Sequence, residues 1–359
     1  MIAVARKRLA RLRLASQCMT TERFSTPADV VRWMTAMQAQ DFAGAKWSVG
    51  LRLPGSTEAD VESALAAGTI VRSWPMRGTL HFVTAEDLGW MLDLTADRLV
   101  AGATSRRAAL GLDDVQLERA RDASREALAG GRVLTRDQMQ EVFERAGVSP
   151  HGQRGYFVLR YLSLTGTLCF GPPRSKQQNF VLLDEWVRSP RRLEHDEALG
   201  ELARRYFLSR GPATIKDFAW WSSLTTTDAR RGLAVASTEL AELEVDDTRY
   251  YLSPEADATP GAGGTRALPG FDEYLLGYQD RSAQLAPERA RMVVPGSNGM
   301  FMPTIVHDGI VVGTWKRSIT PRAVRVEALP FAALSARAEA GFARASAEYS
   351  AFLGLPAAD

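Results

Sequence analysis

The stretch "GPATIKDFAWWSSLTTTDARRGLAVA", residues 211–236, followed by "LAELEVDDTRYYLS", residues 240–253, decides the fold. Thr214 offers an N-cap hydroxyl, with Asp217 three residues on where a capping box prefers Glu or Gln. Helical spacing, a break and further helical spacing then give way to the alternating apolar residues of a hairpin. Helix, turn, helix and hairpin make the winged-helix arrangement.

The same plan recurs upstream. Thr26-Pro27-Ala28-Asp29 supplies a hydroxyl cap, a proline at the first helical position and an acid in the first turn. Val30, Trp33, Met34 and Met37 then mark one buried helix face. "EADVESALAAG" predicts a further helix ended by Gly68, and "TIVRSWPMRGTLHFV" predicts two strands turned around Pro75 to Gly78. Between them, "AGAKWSVGLRLPG" is ambiguous: Trp47, Val49, Leu51 and Leu53 alternate like a strand, whereas the recurring plan wants a helix. Another copy runs from "GRVLTRDQMQEVFERAG", with a capping box at Thr135 and Gln138, through "GQRGYFVLRYLSLTGTLCFGPP".

Pro, Gly and Ala crowd "PEADATPGAGGTRALPG", residues 254–270, which reads as a mobile linker or loop. Beyond it "RMVV", "TIVHDGIVVGTWK" and "VRVEAL" read as strands, with a hairpin turn at His307-Asp308-Gly309. A closing helix carries the seam Phe331, Leu334, Ala338, Phe342, Ala345, Tyr349 and Phe352. The expected fold is α+β and helix-rich. Three modules, at 1–105, 106–195 and 196–254, precede a linker at 255–270 and a β-rich scaffold with its terminal helix at 271–359.

Composition narrows the function. With 359 residues, 45% apolar and 24% charged, the chain has the makeup of an ordinary globular protein. No apolar run is long enough to span a membrane, and the basic N-terminus lacks the apolar core of a secretory signal, so a cytoplasmic protein is expected. Cys18 and Cys169 stand far apart, and His81, His151, His195 and His307 form no ligand pair, so neither a metal site nor a cofactor is expected. The net charge of +2 permits nucleic-acid binding without requiring it.

In "AMQAQDFAGAK", residues 36–46, Gln38 and Gln40 stand two apart just past a helical seam. On a regular helix they point about 200° apart, so they share a face only if the helix ends or the chain extends there. On spacing alone the pair also reads as a solvated helix end.

Set beside "MQAQD", the stretches "WPMRGTLHFVTAEDL", "GPATIKDFAWW", "LPGFDEYLLGYQDR" and "HDGIVVGTWK" carry a resemblance that spans the chain. It resembles the AlkZ-like winged-helix DNA glycosylases, whose tandem winged helices sit on a C-shaped scaffold that cradles DNA. Their hallmark is Gln, an apolar residue and a second Gln, matched by Gln38, Ala39 and Gln40. The related YcaQ-like branch has Asp in the last position. The resemblance implies a monomeric, monofunctional glycosylase that excises bulky N7-alkylated purines from double-stranded DNA, with interstrand crosslinks in reach, as self-resistance to a genotoxic natural product. An N7-alkylated purine already carries positive charge, so its base departs without protonation. Two neutral carboxamides then suffice to position water and stabilise a developing oxocarbenium.

The remaining candidates are weaker. Asp41 is either electrostatic support or a turn residue. Arg77 and Thr79 lie at the tip of the first hairpin, where Arg suits a phosphate or the minor groove, and the resemblance brings His81 beside the glutamines. Arg230 and Arg231 fall on the recognition helix of the 211–253 module, positioned for backbone contact. Lys316 and Arg317, with Gln279 and Arg281, read as backbone or structural contacts, and Trp220 and Trp221 as core. The alternatives are a non-catalytic winged-helix regulator and a protein that sequesters the toxin.

Overall fold

A computed structural model describes residues 2–173, 178–256, 263–296 and 299–358. The architecture is mixed α+β and helix-rich, in two compact units: Met1–Val61 with Leu199–Asp359, and Glu62–Ala198.

In the first unit the Ile2–Ser16 helix buries Leu9, Leu12 and Leu14. Arg13 on the same helix is also buried. It donates to the Pro212 carbonyl at 2.9 Å and to Gln284 Oε1 at 2.7 Å. That part of the basic N-terminal cluster is therefore structural. The reciprocal capping boxes form as expected at Thr26/Asp29 and at Thr214/Asp217, where the acid serves as well as Glu. The ambiguous segment is the helix Phe42–Gly50. Seven of its nine residues are buried, from Gly44 to Gly50. A helix buried nearly all round shows no 3.6-residue pattern, so the strand-like alternation there was accidental.

The C-terminal sheet is antiparallel, in the order Val324–Pro330, Ile310–Ile319, Thr304–His307, Thr265–Leu268. Asp308 and Gly309 both take positive φ, 49° and 87°, as a two-residue hairpin turn demands. Two expectations are corrected here. Thr265–Leu268 is a strand inside the stretch read as linker, because it gains a partner some 40 residues away; residues 257–262 lie outside the described residues. "RMVV" falls in the short helix Ala290–Val293, since a four-residue apolar run does not discriminate helix from strand. The closing helix Ala336–Leu353 packs Tyr349 and Phe352 on Trp47, each with centroids 5.1 Å apart, and Tyr349 on Trp315. Phe331 and Leu334 precede its Ser335 cap and are half-buried.

In the second unit the strands run Thr79–Thr84, Ile70–Met76, Leu168–Phe170, Asn179–Leu182, Leu134–Thr135. The Arg136–Arg145 helix carries the expected box, Thr135 with Gln138. Its core gathers Trp74, Phe143, Val158 and Leu168.

Candidate active site

The site forms where the Pro27–Met34 helix stops. Thr35 has φ 62° and ψ −58°, and the Ala36 N–H donates to the Met34 carbonyl at 2.6 Å. This is a γ-turn of the rare positive-φ kind, at a β-branched residue that resists it. In one residue it swings the chain from helix into the extended Met37–Gln38 segment. Strain of this sort costs about 1–3 kcal/mol and persists only where the surroundings impose it.

Arg210 imposes it. Its guanidinium donates to the Met34 carbonyl at 2.9 Å and to the Ala36 carbonyl at 2.8 Å, bracketing the turn. Glu273 Oε2 balances that charge at 2.8 Å, with both side chains essentially unexposed. Trp221 Nε1 donates to the same oxygen at 2.8 Å. The second carboxylate oxygen accepts the backbone N–H of Gln38 at 3.0 Å. One buried carboxylate thus ties the arginine to the glutamine strand.

Extended backbone resolves the facing problem of the glutamines. Met37 and Ala39 are buried, at 1% and 0% exposure, while Gln38 is half-buried and Gln40 exposed. Burial alternates from Met37 to Gln40 with the period of two that extended backbone gives, the strand itself ending at Gln38 and Gln40 lying on the bend beyond it. Gln38 Oε1 is buried and has no hydrogen-bond partner among the described residues. Such an acceptor costs about 1–3 kcal/mol, and native proteins keep few of them without a use.

Asp272 supports the same loop. It accepts from Ser48 Oγ and from Arg52 at 2.9 and 3.0 Å, and Arg52 also donates to Gln17 Oε1 at 2.6 Å. Burial works against the Arg52 charge, but Asp272 beside it prevails and holds the guanidinium above its ordinary range.

Asp41 caps the Phe42–Gly50 helix, accepting from the Gly44 N–H at 3.1 Å. A Cβ on Gly44 would sit 2.5 Å from the Asp41 carboxylate, so a larger residue there would push the capping side chain aside. Arg317 approaches Asp41 at 3.5 Å and lies 5.8 Å from the Tyr349 ring centroid. Lys316 is exposed and paired with Glu327 at 3.0 Å. Arg230 and Arg231 are both exposed on the Thr226–Ala236 helix.

In the second unit Arg77, with φ 54°, and Gly78 form the hairpin turn. His81 is 0% exposed; Nδ1 lies 2.9 Å from the Thr79 carbonyl and Nε2 2.9 Å from Arg77 Nη2. The carbonyl can only accept, so Nδ1 carries the proton and Nε2 receives the arginine's. Neutral His81 therefore fixes Arg77 on the turn, from a position closed to solvent. Thr79 is half-buried.

Trp221 is core as expected, but Trp220 is 36% exposed and stacks on Arg281 at 5.0 Å. Gln279 and Asp280 give their N–H groups to Asp217. The sequence reading missed Arg210, Glu273 and the Thr35 turn. The available signal was "GFDEYLLGY", where two adjacent acids inside an apolar run demand buried partners.

The profile of the AlkZ-like DNA glycosylases matches residues 31–352. An interstrand DNA cross-link repair glycosylase of Streptomyces sahachiroi is 33% identical over 310 residues, covering 80% of this chain and 81% of its own. The solved structure of Streptomyces sahachiroi DNA glycosylase AlkZ superposes with a TM-score of 0.80 at 27% identity, over 98% of each chain. Fold and family together define a DNA glycosylase, a hydrolase of N-glycosyl bonds. The chain belongs to the AlkZ-like family. Among the described residues no helix is long and apolar enough to cross a membrane, and no group of three or more His, Cys, Asp or Glu is placed to hold a metal.

Proposed function

We propose that the enzyme excises bulky N7-alkylated purines from double-stranded DNA, including those that tie the two strands together, by simple hydrolysis at Gln38 and Gln40. The observation that carries this is the buried, unpaired Gln38 Oε1 on a strand held rigid by Glu273. An N7-alkylated base leaves with the C1′–N9 bonding electrons as a neutral molecule. The sugar becomes an oxocarbenium, a water oxygen bonds to C1′, and that water's proton passes to solvent. Gln38 Oε1 accepts from the attacking water, and the Gln40 dipole supports positive charge at the sugar. No amine nucleophile is required, so the strand stays uncut. Preformed positive charge on the base sets selectivity, because a normal purine needs an acid that neutral carboxamides do not supply.

Asp41 and His81 act as positioning residues, the first through the Phe42–Gly50 helix and the second through Arg77. Arg77, Thr79, Arg230, Arg231, Lys316 and Arg317 are the proposed contacts to the DNA backbone. The Streptomyces sahachiroi relative, an interstrand DNA cross-link repair glycosylase, supports extending the reading to crosslinks. Self-resistance to a DNA-alkylating natural product is the role this chemistry would serve.

The test is incubation with duplex DNA bearing one N7-alkylguanine, scoring released base and abasic sites for wild type, Gln38→Ala and Gln40→Ala. Release should collapse in both variants while DNA binding at fixed salt persists. Undiminished release in both variants would remove the pair from the chemistry.

A further inference from the structure

In the second unit the Arg136–Arg145 and Arg154–Leu164 helices lead into the hairpin Leu168–Phe170 and Asn179–Leu182, which closes on Leu134–Thr135. In such a helix, turn, helix and hairpin the second helix ordinarily lies in the major groove and reads base edges. Here it is covered. It packs against the strand Ile70–Met76, and of its eleven residues only Tyr156 is exposed, at 41%. Arg154, at its start, is spent on the Ser149 and Gly111 carbonyls at 2.9 and 3.2 Å. What remains is a narrow stripe, too small to read a sequence.

Tyr156 and Arg160 form that stripe, four residues apart and so on one helix face. At one end the Arg136 guanidinium lies 6.0 Å from the Tyr156 ring centroid, and the Trp74 ring meets Tyr156 edge-on at 6.3 Å. At the other end stands the Arg77–Gly78 turn. A Cβ on Gly78, where φ is 65°, would come within 2.7 Å of Arg160 Nη2, so guanidinium and turn lie against each other. Arg136 is exposed and Arg160 half-buried, and among the described residues neither side chain has a hydrogen bond or an ion pair. Trp74 Nε1 and Thr79 Oγ1, on the two strands of the same hairpin, are buried and lack partners too. Four groups able to donate thus gather without an acceptor.

A DNA phosphate is the acceptor that fits: its charge answers the two guanidiniums, and arginine and tyrosine are ordinary donors to phosphate oxygens. We propose that Arg136, Tyr156 and Arg160, together with the Arg77–Thr79 turn, form one seat for the sugar–phosphate backbone of duplex DNA. Such a seat fixes position without reading sequence, which suits a glycosylase that must work in any sequence context. It rests on the reading of duplex DNA as the partner and of Arg77 and Thr79 as backbone contacts, and extends that reading to three residues on other elements. Neither the glutamine pair nor the lesion class enters it.

The experiment is equilibrium binding of the full-length enzyme to two undamaged, labelled duplexes of unrelated sequence, across a range of salt. Arg136→Gln and Arg160→Gln should each flatten the slope of log affinity against log salt by about 0.9, roughly eightfold in affinity at 0.1 M salt. The double variant should lose about twice that slope, on both duplexes alike, with melting temperature unchanged. Tyr156→Phe should bind about fivefold more weakly at an unaltered slope, because a hydroxyl carries no charge. Arg145 is exposed at the far end of the Arg136–Arg145 helix, about 13.5 Å along its axis from Arg136, and Arg145→Gln should behave as wild type. Wild-type slopes in both Arg136→Gln and Arg160→Gln, with the unaltered enzyme binding well, would overturn the seat and leave the DNA reading standing. Equal losses in Arg145→Gln would overturn it too, as an effect of net charge alone. So would losses on one duplex only, which would make the stripe a reader of bases. Failure of the unaltered enzyme to bind either duplex would overturn the DNA reading and the seat with it.

Discussion

Arg210 and Glu273 meet at 2.8 Å with no solvent around either, and between them they hold both ends of the turn that presents Gln38. Removing one partner of such a pair leaves a buried charge uncompensated, at a cost of about 3–5 kcal/mol. Glu273→Gln keeps an acceptor for the Gln38 N–H but abandons the guanidinium. It should therefore lower melting temperature sharply and slow excision, while Glu273→Asp falls between. Calorimetry with single-turnover excision decides the matter. A glutamine variant as stable and active as wild type would separate the pair from the site.

The unpaired oxygen of Gln38 leads to a different expectation, a gain of stability with a loss of function. Gln38→Leu removes a buried acceptor that goes without a protein partner, relieving roughly 1 kcal/mol or more. Melting temperature should rise by a few degrees as excision disappears. A variant that loses both together would show that the glutamine amide serves the fold.

Asp41 separates capping from catalysis. Asn accepts from an N2 or N3 amide as Asp does, whereas Ala does not, at about 0.5–2 kcal/mol. Asp41→Asn should retain stability and most of the excision rate, losing only its 3.5 Å approach to Arg317. Asp41→Ala should lose stability. Should the rate fall a hundredfold in the asparagine variant with melting unchanged, the carboxylate charge itself takes part in the chemistry.

The features that could be read in advance are those whose causes are local. Thr26 with Asp29, Thr135 with Gln138 and Thr214 with Asp217 each complete their boxes within three residues, so their helix starts are written in the chain. The glutamine geometry is set from far away. The apolar seam runs on to Met37, yet the helix stops at Met34 because Arg210, 176 residues distant, takes its carbonyl. Nothing near Thr35 announces a positive φ, since the residue type argues against it. Trp220 and Trp221 show the same limit: adjacent identical residues take opposite fates, and the buried Trp221 donates to Glu273.

Four tyrosines predict the alkaline limit. Burial raises Tyr278 to about 12, opposed in part by the nearby Arg13 charge, and raises Tyr349 to about 12 against Arg317. Burial also lifts Tyr206 and Tyr274 well above the usual phenol range. A folded-state value above the unfolded ~10 means that the native state favours the neutral phenol. That contribution is complete below pH ~10 and is lost as pH climbs toward the folded values. Stability should hold to about pH 10 for these groups and then fall steeply, with tyrosinate absorbance at 295 nm rising only as the fold is lost. Reversible ionisation of all four near pH 10 in a folded protein would contradict the burial that the fold assigns them.

Salt dependence tests the proposed DNA contacts individually. Each phosphate neutralised by a cation contributes about 0.9 to the slope of log affinity against log salt. Arg230 and Arg231 are exposed on the Thr226–Ala236 helix, so Arg230→Ala with Arg231→Ala should flatten the slope by close to two contacts. Lys316 differs, because it already pairs with Glu327 at 3.0 Å. Removing it deletes one cation and also frees a carboxylate beside the same surface, so affinity should fall further than a single lost contact. Adding Glu327→Gln should return part of the loss while the slope stays reduced. If the double arginine variant keeps the wild-type slope on undamaged duplex, that helix faces away from the DNA backbone.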